Sequence, residues 1–367
     1  MKIVQFPYRE TCLRFSRFAN SFGNDERNDN QLIAGGEGLA SEDSFGGGFS
    51  QTTTASFSAD FYLGAVDGGT AATNDPVMAT YGFQIDLNTS FTGEDSLDIS
   101  IDAGNAGGAV TEFDLNGGVT TAASTTTTDI LTVDGVSYTF PVGSATVIVG
   151  DNTDGSALFS TACVYGGPSN TLDDCGNVNA GITGAGTAFG ISYDFDNGFT
   201  AAAGYAGAGS STAGLLTEEG LDSYGFNVAY TGDTYGVSVT YGSTEATTTT
   251  EDTFTALNAY WAPEGNFPSI SVGYEIGDDG SEVAAEDGLT SYFVGVEFAE
   301  VGPGTFGAAF GTKTPTTEDG SDLMMYEAYY SYPVNDGMTI TPLFYIKEFA
   351  AGTSDETGLM VKTSFSF

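Results

Sequence analysis

The chain contains no histidine. The commonest general base and the commonest metal ligand are therefore both missing. Basic residues are scarce: 8 Lys and Arg stand against 49 Asp and Glu, for a net charge of -41. Five of those eight basic residues (Lys2, Arg9, Arg14, Arg17 and Arg27) lie in the first 30 positions, leaving three to face 45 acids over the remaining 337. A surface of that kind repels nucleic acid, whose phosphates need Lys and Arg, and it attracts cations. No apolar run approaches the roughly 20 residues of a membrane-spanning helix. Residues 1–51 hold no apolar stretch of about 7–15 residues of the sort that marks a signal peptide. There is no fixed repeat period. Positions 1–50 read as an irregular N-terminal extension, either a wrongly assigned start or a fragment of a longer precursor, and positions 51–367 as one folded domain.

What is present is alternation. The last residues, Thr357 to Phe367, place Leu359, Val361, Phe365 and Phe367 on one face of a strand and Met360, Lys362, Ser364 and Ser366 on the other. Tyr81, Phe83, Ile85 and Leu87 alternate with Gly82, Gln84, Asp86 and Asn88. After a tight turn, Leu97, Ile99 and Ile101 alternate with Asp98, Ser100 and Asp102. The clearest pair is Tyr224–Tyr230 and Tyr235–Tyr241, joined at Thr231–Thr234. Asp196-Asn197-Gly198 is a strong hairpin signal. From Thr53 onward the pattern yields about sixteen strands whose connections alternate between short and long. Short turns are expected near 92–95, 141–144, 196–198, 231–234, 263–268, 302–304 and 333–337. Long loops are expected near 67–77, 106–129, 151–185, 208–220, 245–252, 278–288, 315–322 and 350–356. The faces of Phe254–Trp261 do not separate, since apolar residues fall on both.

These features predict an all-β fold: a transmembrane antiparallel β-barrel of about sixteen strands, with short periplasmic turns and long external loops. The mean hydropathy of -0.04 does not oppose this, because alternation hides apolar residues from an average. At this strand number the lumen is an aqueous channel rather than a filled core. Alternation turns Asp86, Asp98, Asp102, Asp194, Glu275, Glu297 and Glu327 toward that lumen, together with Lys347 and Lys362. Carboxylate rings favour cations in a pore. Most aromatics fall on the outward face, with Phe293 and Tyr345 pointing inward. Cys163 and Cys175 bracket a turn-rich segment and are expected to form a disulfide in an oxidising compartment, leaving Cys12 over. Asp151-Asn152-Thr153-Asp154-Gly155 looks like half a calcium loop but lacks the acid that would complete it. No catalytic residue, metal site or cofactor is expected.

Three stretches resemble the cyanobacterial outer-membrane porins: Val133-Asp134-Gly135-Val136-Ser137-Tyr138-Thr139-Phe140-Pro141-Val142-Gly143, Asn88-Thr89-Ser90-Phe91-Thr92-Gly93-Glu94-Asp95, and the C-terminal Val361-Lys362-Thr363-Ser364-Phe365-Ser366-Phe367. The resemblance spans roughly Thr53 to Phe367. It implies a homotrimer in outer-membrane lipid, with Phe365 and Phe367 as the terminal signal for the barrel-assembly machinery. It also implies a passive channel for small ions or solutes, in a family placed with carbohydrate-selective porins and linked to uptake of inorganic ions including iron. The surface-layer-homology domain and coiled-coil spacer of that family are not recognisable here. By analogy with general porins, the third external loop, 151–185, folds inward to narrow the pore, with Asp173 and Asp174 at the constriction. The acidic composition favours a cation-preferring channel. A carbohydrate-selective porin would need aromatics stacked along the lumen. An acidic secreted adhesin or surface-layer protein is the reading from another class.

Overall fold

The computed structural model describes residues 52–69, 76–105, 112–113, 129–182, 186–209, 214–217, 220–247, 250–278, 280, 288–312 and 322–367. The expected extension 1–50, with Cys12, lies outside them. The described residues form sixteen strands: β1 (Thr53–Asp67), β2 (Met78–Thr89), β3 (Ser96–Gly104), β4 (Thr132–Val142), β5 (Ala145–Asp151), β6 (Thr187–Asp194), β7 (Phe199–Gly207), β8 (Asp222–Thr231), β9 (Tyr235–Thr247), β10 (Thr250–Trp261), β11 (Ser269–Asp278), β12 (Leu289–Val301), β13 (Gly304–Thr312), β14 (Met324–Asn335), β15 (Met338–Lys347) and β16 (Glu356–Ser366). Each pairs with its neighbours in sequence, and β16 returns to β1, closing one antiparallel barrel.

Closure removes every edge that would otherwise expose unpaired backbone, which is what allows a sheet to cross lipid. The seam runs from Asp67 opposite Thr357 to Ser58 opposite Ser366. Beyond it, Phe57 and Phe367 exchange N–H···O bonds of 3.0 Å in both directions. Their rings stack at 5.9 Å and 7°. The turns follow their residue chemistry. Asp196 and Gly198 take φ of 59° and 88° in the β6–β7 hairpin, a left-handed backbone that Asp tolerates and Gly adopts freely.

The wall is apolar outside, and inside it is polar on strands such as β8. On β8, Phe226 and Val228 are 55% and 51% exposed on the outer face, whereas Asn227 between them is 1% exposed on the inner. Aromatics collect on the outer face at both rims, as at the interfaces of a transmembrane barrel. Phe199, Tyr230, Tyr235, Trp261, Phe306 and Tyr332 stand at the short-turn end. Tyr81, Phe189, Tyr224, Tyr274, Phe310 and Tyr326 stand toward the long-loop end.

Two expectations change. The Thr-rich segment 245–252 is not a long loop: β9 runs to Thr247 and β10 starts at Thr250, with Glu251 opposite Glu245. Its threonines are β-branched and extend the strands past the rim, where polarity had suggested a loop. The second concerns β10, whose faces now separate. Phe254, Ala256, Asn258 and Tyr260 are buried on the inside, while Leu257 and Trp261 are exposed on the outside. Apolar residues are tolerated inside because the lumen behind β10 is occupied.

Candidate pore constriction

The occupant is the β5–β6 loop, the third long connection of the barrel. A loop that leaves water must find a partner for each of its backbone donors. Residues 160–166 run extended, and every second amide of this run donates to a side chain on a successive part of the inner wall. Ser160 N–H reaches Asn227 Oδ1 on β8 at 2.9 Å. Ala162 N–H reaches Ser238 Oγ on β9 at 2.8 Å. Val164 N–H reaches Ser271 Oγ on β11 at 3.0 Å, and Gly166 N–H reaches Glu297 Oε2 on β12 at 3.1 Å. Tyr165 extends one strand pair further and donates its hydroxyl to Glu327 Oε1 on β14 at 2.6 Å.

The chain then turns and comes back. Asn258 Nδ2 on β10 donates to the Cys175 carbonyl at 2.9 Å. Glu275 on β11 receives the N–H groups of Asn179 and Ala180, both at 2.8 Å on Oε1, and Asn179 Nδ2 at 3.1 Å and Ser291 Oγ at 3.3 Å on Oε2. Cys163 on the outgoing arm and Cys175 on the returning arm are joined by a disulfide, with Cα atoms 6.4 Å apart.

The backbone lies this close because the wall is notched with glycine. A Cβ on Gly204 would meet the Gly155 carbonyl oxygen at 1.9 Å, and one on Gly273 would meet that of Cys175 at 1.8 Å. Asp151–Gly155 is thus the start of the inward path. Behind the loop sits the main apolar core of the molecule, which includes Tyr62, Phe113, Tyr165, Leu172, Phe293, Tyr329, Tyr345 and Met360. It lies within the barrel rather than between sheets.

The residues turned inward by alternation fall into separate groups. Asp86, Asp98 and Asp102 line the inner wall of β2 and β3. Asp86 accepts from Gln84 Nε2 at 2.8 Å and Ser100 Oγ at 2.6 Å, Asp98 accepts from Ser96 Oγ at 2.8 Å, and Asp102 accepts from Thr132 Oγ1 at 2.8 Å. Glu275 and Glu327 are buried beneath the loop and Glu297 is half-buried beside it; all three anchor it, and Tyr329 adds a hydroxyl to Glu297 at 2.6 Å. Asp194 lies at the short-turn rim, exposed, where it accepts the Asp196 N–H at 2.8 Å. Lys347 forms an ion pair with Glu112. Lys362 lies on β16, opposite Tyr62 of β1 and Thr341 of β15. Asp173 and Asp174 are half-buried at the loop's turning point, where Asp173 N–H donates to the Ser169 carbonyl at 3.2 Å and the Asp174 carbonyl accepts from Asn177 at 3.0 Å.

Sequence reasoning missed Glu112, Tyr165, Asn227 and the anchoring role of the three glutamates. One signal was present: glycine recurring at inward positions of the strands, such as Gly204, Gly242 and Gly273, marks where a second backbone lies against the wall. Among the described residues, Lys347 and Lys362 are the only basic side chains. The lumen therefore carries a large excess of carboxylate. No group of acids and cysteines among the described residues is placed to hold a metal ion.

No protein-family model matches the chain, and no curated protein sequence matches it. Solved structures do. A mutant of Rhodopseudomonas blastica porin with five substitutions superposes with a TM-score of 0.58 at 12% identity, covering 86% of this chain and 100% of that one. A double mutant of the same porin gives 0.57 at 13% identity, and a triple mutant gives 0.54 at 12%, both with the same coverage. At that identity the likeness is one of fold: the chain has the sixteen-stranded barrel architecture of a bacterial porin.

Proposed function

We propose that the chain is an outer-membrane porin, a water-filled channel for passive diffusion of small hydrophilic solutes with a preference for cations. The observation that carries this reading is a closed transmembrane barrel whose third long loop lies inside it, facing a wall of carboxylates. Solutes move down their gradients, and the acidic lining raises the local concentration of cations. The short turns face the periplasm and the long loops the outside, as in other outer-membrane barrels. The proposed working form is a homotrimer in outer-membrane lipid, inserted by the barrel-assembly machinery acting on β16 with Phe365 and the adjoining Phe367. The inward aromatics Tyr62, Phe293, Tyr329 and Tyr345 pack against one another and against the loops. Their faces are not offered to a sugar, which supports ion passage over carbohydrate stacking.

The test is planar-bilayer recording of the refolded protein across a KCl gradient. Stable conductance steps with a reversal potential favouring K⁺ are expected. Asp86→Asn/Asp98→Asn/Asp102→Asn is expected to move that potential toward Cl⁻. Steps that favour Cl⁻ in the unaltered protein would keep the channel and overturn the cation preference. A folded protein that gives no steps would overturn the channel itself.

A further inference from the structure

Two residues of the β3–β4 connection, Glu112 and Phe113, lie inside the barrel, which nothing in its Gly- and Thr-rich sequence foretold. Phe113 has no exposed surface; its ring lies 5.8 Å from that of Tyr62 on β1, and its backbone bridges Ser169 of the β5–β6 loop. Glu112 beside it ties three elements together. Its carbonyl accepts the Asn170 N–H at 2.8 Å, Oε1 accepts the Thr171 N–H at 3.1 Å, and Oε2 pairs with Lys347 Nζ at the end of β15. The side chains of Lys347 and Glu112 are only 15% and 5% exposed. Separating them would strand a poorly solvated charge on each side, which is costly.

We propose that Glu112 is a positioning residue that clasps residues 112–113 inside the lumen as a second constriction element. The proposal rests on the channel reading above. Under the clasp, the inward side chains Leu343, Tyr345, Met360 and Tyr62 of β15, β16 and β1 have essentially no exposure. On the adjoining strands β2, β3 and β4, Asp86, Asp98, Ser137 and Thr139 remain partly exposed. Solutes are thereby confined to a crescent along the β2–β4 wall. The clasp also cancels the charge of Lys347, so the cation at this mouth offers anions no site.

Glu356 lies opposite Lys347 in the β15–β16 register and accepts the Tyr345 hydroxyl at 2.8 Å. Because Lys347 has this second acid within reach, simple neutralisation of Glu112 is a weak test and charge reversal is a sharp one. The full-length refolded protein is recorded as wild type, Glu112→Lys, Lys347→Glu and the exchanged pair Glu112→Lys/Lys347→Glu. Each single reversal is expected to release residues 112–113 and raise unitary conductance to roughly 1.5–2-fold of wild type, since the open section widens. Glu112→Lys shifts the reversal potential toward Cl⁻ and Lys347→Glu shifts it toward K⁺. The exchanged pair restores both conductance and reversal potential. Single reversals that shift selectivity but leave conductance unchanged would overturn the clasp, as would an exchanged pair that behaves like a single.

Amide hydrogen exchange at Asn170 and Thr171 gives a second readout, independent of current. It should accelerate in Glu112→Ala, which adds no charge and serves where a reversed variant fails to fold. Unchanged exchange there overturns the proposal. If the wild type gives no channels while these amides still accelerate, the channel reading fails and the clasp stands.

Discussion

Tyr165 and Glu327, 162 positions apart in the chain, share a 2.6 Å hydrogen bond in which the phenol donates to the carboxylate. The bond fastens the outgoing arm of the inward loop to a strand on the other side of the barrel from the loop's origin at β5. Glu275 does the same for the returning arm with three donors from Asn179 and Ala180. A hydrogen bond to a charged group contributes about 1.5–3 kcal/mol, and an abandoned buried donor costs about 1–3 kcal/mol. Glu275→Ala, which orphans two backbone N–H groups, is therefore expected to cost the loop about 3 kcal/mol. Exchange of the Asn179 and Ala180 amides should accelerate roughly 100-fold, by the tenfold that each 1.4 kcal/mol contributes. Tyr165→Phe should act in the same direction but less, by about 1.5 kcal/mol. Protection at Asn179 and Ala180 that survives Glu275→Ala would show that the loop is held by packing alone.

Gly273 is expected to tolerate no side chain without moving the loop. A Cβ there would fall 1.8 Å from the Cys175 carbonyl oxygen, a backbone atom held by the disulfide and by Asn258. Gly273→Val should leave the barrel folded, since valine suits a strand, yet dislodge the returning arm and make single-channel current noisier and larger. Gly265 lies in the β10–β11 turn, and a Cβ there meets nothing within 4 Å. Because its φ is 88°, Gly265→Ala would cost about 1 kcal/mol through backbone strain without changing the current. Equal currents from the two variants would remove the argument that the inner glycines seat the loop.

Asp95 governs the acid behaviour of the first hairpin. It accepts from the Tyr138 hydroxyl at 2.6 Å, the Thr92 N–H and hydroxyl at 2.7 Å, and the Ser90 hydroxyl and Phe91 N–H at 2.9 Å. The Tyr138 bond first, and then the Thr92 and Ser90 bonds, hold its carboxyl well below the usual Asp range. A group whose folded-state pKa is depressed stabilises the fold fully above its unfolded value, about 3.9, and loses that contribution as pH falls toward the folded value. Asp95→Asn should thus be less stable than wild type at pH 7, and the gap should shrink as acid is added below about pH 4. Urea titrations of both proteins at neutral and acid pH make the comparison. A gap that is constant with pH would assign the stabilisation to shape rather than charge.

The barrel was legible in the sequence because a strand's two faces meet different media. Lipid demands apolar residues at every second position, and water accepts polar ones at the rest, so alternation survives as a local signal that needs no knowledge of the fold. Tyr224, Phe226 and Val228 against Gly225 and Asn227 carry it plainly. The signal faltered at β10, where Phe254 and Tyr260 point inward against material that alternation does not encode. It also faltered at 245–252, where a run of threonine reads as loop by polarity and as strand by β-branching.

The sequence alone thus determined the strand pattern, the closure implied by an uninterrupted series of alternating strands, and the excess of negative charge. Only the tertiary structure decided what those charges do. Glu275, Glu297 and Glu327 have the same inward parity as Asp86 and Asp98, yet the first three anchor a loop while the other two line an open wall. That difference depends on where the β5–β6 loop travels after leaving the rim and on where Glu112 and Phe113 lodge. Both placements are held by hydrogen bonds between residues as distant as Tyr165 and Glu327, or Glu112 and Lys347, and no local periodicity records a contact between segments so far apart in the chain.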